Sequence, residues 1–114
     1  MIKSEKEVKQ NFEYNEKGIK KMSLSDLKDF EGINPKIDMY SHVKLNAGEK
    51  VNFHVHVGES EIYYILKGKA VYDDNTEKVL IEAGAVTFTP SGSGHGIENV
   101  GGETLELMAL VVKD

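Results

Sequence analysis

The stretch "NFHVHVGESEIYYILKG", residues 52–68, decides how the rest of the chain is read. It holds two of the chain's four histidines, His54 and His56, one residue apart, and Glu61 follows five positions after the second. With Val51 before it, the run alternates: Val51, Phe53, Val55 and Val57 on one face, Asn52, His54 and His56 on the other. The period of two marks a β-strand. It sets the two histidine Cβ atoms about 6.5–7 Å apart on the same face, from where two imidazoles can converge on one ion. The apolar face is expected to bury against a second sheet. The histidine face must then look into another enclosed space, such as the inside of a barrel.

Working outward, the pattern repeats. "KIDMYSHVKL" alternates before it, with Val43 and Leu45 opposite His42 and Lys44. "KAVYDD", "KVLIEAG" and "AVTFTP" follow, then the loop "SGSGHG", and "TLELMALVV" places Leu105, Leu107, Ala109 and Val111 on one face. Seven or eight short strands at regular spacing predict an all-β antiparallel sandwich or barrel over residues 36–114. Residues 1–35 are polar and weakly patterned. They are expected to form an extension with an edge strand, from Phe12, Tyr14, Ile19 and Met22, and a short helical turn in "SLSDLKDFEG" between Ser25 and Gly32. An edge strand lent to a neighbour would make a homodimer.

Composition narrows the function. A net charge of −5, with the N-terminal lysines interleaved with glutamates, argues against nucleic acid as a partner. No window approaches a membrane span, and the N-terminus has no secretory apolar core, so the expected location is cytoplasmic. The absence of cysteine removes disulfides, thiolate ligands and thiol nucleophiles. All fourteen basic residues are lysine, so no guanidinium fork is present to grip a phosphate or carboxylate.

Two sets of fixed spacings then stand out. Gly48, His54, His56, Glu61 and Gly68 satisfy G-x5-H-x-H-x4-E-x6-G, and Gly84, Pro90, Gly92, His95 and Asn99 satisfy G-x5-P-x-G-x2-H-x3-N. In both motifs the chain resembles the cupin superfamily, here a compact single-domain microbial form, since only residues 69–83 separate them. The resemblance implies an antiparallel double-stranded β-helix, or jelly-roll β-barrel. It assigns a divalent transition metal (Fe, Mn, Ni, Zn, Co or Cu) to His54, His56, Glu61 and His95, a donor set that suits such ions. Imidazoles bind metal only when deprotonated, so affinity is expected to fall below about pH 6. Glu59 competes with Glu61 for the carboxylate role, and the spacing favours Glu61.

The expected small-molecule pocket is lined by Ser41, Val43, Asn52, Tyr63, Val86, Phe88, Leu107 and Ala109, with Tyr63 the candidate catalytic residue. Pro90 is expected to stiffen a loop presenting His95, Asn99 to tie that loop down, and His42 to lie on the surface. Two functions remain. One is a small metal-dependent enzyme, of oxygenase or isomerase/lyase type, acting on a metal-chelating substrate. The other is a non-catalytic module binding a small molecule or sugar beside a structural or sensing metal.

Overall fold

The computed structural model describes residues 1–4, 7, 12–14, 20–23 and 30–114. Among the described residues, ten strands run in chain order: β1 (Phe12–Tyr14), β2 (Lys20–Ser23), β3 (Ile37–Leu45), β4 (Lys50–Val55), β5 (Glu59–Lys67), β6 (Lys69–Asp73), β7 (Lys78–Glu82), β8 (Val86–Thr89), β9 (Gly94–Asn99) and β10 (Leu105–Lys113). They form two antiparallel sheets, one ordered β1-β2-β3-β10-β5-β8 and one ordered β4-β9-β6-β7. The sheets face each other as a jelly-roll barrel. No described helix is long and apolar enough to cross a membrane.

The alternation read from β3, β5 and β10 holds. Val43, Leu45, Ile65, Leu105, Leu107 and Val111 are buried, and their strand neighbours point outward. Register sorts the interior of the larger sheet into layers. Met39, Val111, Glu61 and Thr89 form one cross-strand row; Ser41, Ala109, Tyr63 and Thr87 the next; Val43, Leu107 and Ile65 the third. Polar groups therefore gather at one end of the barrel and aliphatic ones fill the other.

Strand β4 departs from simple alternation. Val51 pairs with Ile97 and His54 with His95, so three residues of β4 span two of β9. This bulge turns Val51 and His54 to the same side, although strict alternation sets them on opposite faces. Phe53, Val55 and Val57 consequently lie outside, at 47%, 52% and 82% exposure, and the expectation that they bury against a second sheet is corrected.

The glycine-rich "SGSGHG" is not all loop: Gly94–Asn99 is a strand, so His95 stands on β9. The glycines answer a close approach. A Cβ on Gly94 would sit 2.5 Å from the Phe53 ring, and one on Gly96 would press on the β4 backbone at 3.0–3.2 Å. Gly68 joins β5 to β6 at φ +95°, where a Cβ would also meet the Leu105 Cα at 3.1 Å.

At the N-terminus, β2 pairs with β3 of its own chain and β1 pairs with β2. These strands extend their own sheet. Ile19 and the helical turn expected from Ser25 lie outside the described residues.

Candidate metal centre

Four side chains from three strands meet at the polar end of the barrel. His54 stands on β4 with His56 just past its end, Glu61 on β5 and His95 on β9. His54 Nε2 lies 3.0 Å from His56 Nε2 and 3.2 Å from His95 Nε2. Glu61 Oε1 lies 2.9 Å from His56 Nε2 and 2.7 Å from His95 Nε2. All four donor atoms fall within 4.8 Å of one another. Ligands at right angles on an ion with bonds of ~2.0–2.2 Å sit about 3 Å apart, so the spacing and the nitrogen/oxygen donor set both fit a divalent transition metal. Glu61 and His95 are almost wholly buried, and the His56 side chain, at 14%, is the most open of the four.

Each imidazole is oriented from behind by a different partner. His54 Nδ1 donates to the Asn52 carbonyl at 2.8 Å. His56 Nδ1 donates to Glu59 Oε1 at 2.8 Å. His95 Nδ1 lies 2.9 Å from both the Tyr72 hydroxyl and Thr89 Oγ1. A donor on Nδ1 leaves Nε2 as the lone-pair face, which is the nitrogen that points into the cluster in all three rings.

The carboxylate is held charged. Burial alone raises the Glu61 pKa, but in the metal-free cluster its interactions with His54, His95 and His56 outweigh burial and bring it down to about 2. Tyr63 stacks on the His95 ring, centroids 4.7 Å apart and planes 24° from parallel. Burial, followed by the Glu61 charge, raises its pKa well above 10. In the metal-free cluster the phenol is held protonated beside Glu61.

The other expected residues divide. Ser41, Tyr63 and Ala109 occupy the row next to Glu61, and Ser41 Oγ is fully buried with no hydrogen-bond partner among the described residues. Val43 and Leu107 lie one row deeper, in the aliphatic core. Val86 and Phe88 do not line the interior. They are 68% and 59% exposed on the outer face of β8, and Thr87 and Thr89 are the residues that point in. Asn52 is also exposed and contributes only its backbone carbonyl. Apolar character does not mark the inner face here, because β8 carries its hydroxyls inside.

Glu59 serves behind His56 and not within the cluster. Tyr72 and Thr89 were missed. The signal available for Tyr72 was its alternation with Val71 in "KAVYD", which puts it on the Ala70 face. Asn99 does not tie the loop before His95, as expected, but the end of β3 and the turn after β9: its amide donates to the Leu45 and Glu103 carbonyls and its oxygen accepts from the Gly101 N–H, at 2.8–2.9 Å. His42 lies on the outer face, 2.9 Å from Glu106.

Known proteins point the same way. The cupin domain family Cupin_2 matches residues 41–112. A Thermotoga maritima protein named oxalate-binding protein is 42% identical over 91 residues, 80% of this chain and 75% of its own. A crystal structure described as a predicted oxalate decarboxylase, also from Thermotoga maritima, superposes with a TM-score of 0.85 at 36% identity, covering 100% of both chains. A Thermus thermophilus structure superposes at 0.71 with 25% identity, covering 98% of this chain and 96% of its own. With the motifs, the barrel and the family match in agreement, the chain belongs to the cupin family.

Proposed function

We propose that the protein holds a divalent transition metal on His54, His56, Glu61 and His95 and captures a small chelating acid of the oxalate class there. The observation that carries this reading is the convergence of four donor atoms at ligand-to-ligand spacing in a buried site. A bound metal would supply Lewis acidity and further coordination positions for two oxygens of one ligand. That explains how a chain with no arginine could grip a dicarboxylate, since the ion replaces the guanidinium. The relatives named for oxalate support this ligand class. The buried Ser41 hydroxyl, one row from Glu61 and without a partner among the described residues, adds a polar contact for a ligand reaching inward.

Binding is the reading favoured over turnover. Glu61 is committed to the cluster, Glu59 to His56, and Tyr63 is held protonated. A lyase activity is the second reading, supported by the description of the Thermotoga maritima structure as a predicted decarboxylase. It would cleave the carbon–carbon bond of hydrogen oxalate to carbon dioxide and formate, a reaction balanced without a co-reactant.

The test combines elemental analysis with calorimetry. Untagged protein is expected to carry near one transition-metal ion per chain, lost in the His54→Ala/His56→Ala variant. Oxalate should release binding heat only with metal-loaded wild type. Equal heats with metal-free protein would overturn the proposal, and formate release on prolonged incubation would move it to the lyase reading.

A further inference from the structure

The smaller sheet carries an open depression of about 180 Å³ on its outer face, opposite the barrel interior. Register builds it. Gly96 of β9 stands beside Asp73 of β6, and Asp73 beside Lys78 of β7. One row along, Lys50 of β4 stands beside Glu98 of β9. The bulge in β4 adds Asn52 and Phe53 as the remaining wall. Gly96 brings no side chain to fill the hollow. The Phe53 ring lies over Gly94, within 2.5 Å of where a Cβ would stand there, and is 47% exposed.

We propose that this depression is a second small-molecule site, separate from the metal centre, and that it takes one ring of a neutral saccharide. Three observations favour that ligand. First, the charges balance: two lysines stand among two carboxylates, so no net local field draws in an anion or a cation. Second, the opposed charges leave their hydrogen-bonding capacity open. Lys50 is the direct cross-strand neighbour of Glu98 and Lys78 of Asp73, yet neither couple closes into an ion pair among the described residues. An ammonium only donates and a carboxylate only accepts, whereas a sugar hydroxyl does both and can bridge them; the Asn52 amide offers one of each. Third, the open Phe53 ring gives the C–H face of a sugar an electron-rich apolar surface to cover. A small zwitterion such as glycine could bridge a lysine and a carboxylate but would leave that ring bare. The volume lies below the ~300–1,000 Å³ of pockets for drug-sized ligands, which suits a single ring.

The proposal gives the β4 bulge a second use. The same irregularity that turns His54 inward turns Phe53 outward, and Asn52, whose carbonyl holds His54 Nδ1 on one side of the sheet, lines the depression on the other.

Titration of the isotope-labelled full chain with glucose, galactose and mannose, followed by its amide resonances, tests this. At least one sugar should move Phe53, Asp73 and Gly96 with millimolar affinity, while Ser41 and Tyr63, inside the barrel, stay in place. Phe53→Ala should weaken that binding about tenfold. The isosteric Asp73→Asn, which exchanges an acceptor for a donor, should weaken it severalfold. The spectra themselves verify that each variant is folded. No shift with any of the sugars, or shifts centred on Ser41 and Tyr63, would overturn the proposal. So would a folded Phe53→Ala or Asp73→Asn variant that binds like wild type, or glycine moving the same amides more strongly than every sugar.

Discussion

The two ends of the barrel interior are built from the same strands and do opposite work. On β5, Glu61 and Ile65 point the same way four residues apart, one into the histidine cluster and the other into the aliphatic core. On β4, Val51 and His54 do the same across the bulge. The aliphatic end, with Leu45, Leu105 and Leu107 at 0–1% exposure, holds the sheets together by burial alone. The metal end collects three imidazoles and a carboxylate that burial penalises, and it holds them by mutual hydrogen bonds and the partners behind each ring. One end of the interior stabilises the frame, and the other presents groups whose best partner is an ion.

This division can be broken from either side. Leu107→Ala should cost most, about 2–5 kcal/mol of unfolding free energy in urea, because it opens a cavity where the sheets pack. Leu107 lies two rows, about 13 Å, from the Glu61 row, so metal affinity in chelator competition should barely move. A large loss of affinity would show that the ends are coupled and spoil the comparison.

Glu59→Gln acts at the other end. It removes the charged acceptor behind His56 while keeping a hydrogen-bonding amide, and should weaken metal binding by about 10–100-fold with little change in the urea midpoint. An unchanged affinity would make Glu59 merely a surface carboxylate.

The smallest effect is electrostatic, since burial and hydrogen bonding oppose each other at Glu61. Its folded pKa is depressed from 4.5 to about 2, so the stability it contributes is full above pH ~4.5 and is lost as the pH falls toward 2. Metal-free wild type should lose stability through that window, and Glu61→Gln should show a flatter acid limb. Identical acid limbs would mean that the histidine contacts contribute nothing net to the fold.

Much of this was legible early because it is local. A two-residue period shows which residues share a face, and it placed Glu61, Tyr63 and Ile65 together on β5 and Leu105, Leu107, Ala109 and Val111 together on β10. The spacings from Gly48 to Gly68 and from Gly84 to Asn99 pointed to the barrel family. Gly48, Gly68 and Gly84, read as turn residues, have φ of +81°, +95° and +94°.

The misreadings share one cause, which is that each depends on a neighbour distant in sequence. A bulge is a mismatch between two strands, so "VNFHVHV" by itself could not show that Val51 and His54 face the same way. Gly94 and Gly96 look like a loop until Phe53 and the β4 backbone are laid against them. Tyr72 and Thr89, 17 residues apart, gain a role only when both reach His95. For this protein the sequence by itself determined the strand class, the family and the four candidate ligands, because side-chain period and motif spacing are properties of one chain segment. Only the tertiary structure decided which face of β4 and β8 is inside, what stands behind each histidine and which apolar surface is left open, because those are set by the registers between strands.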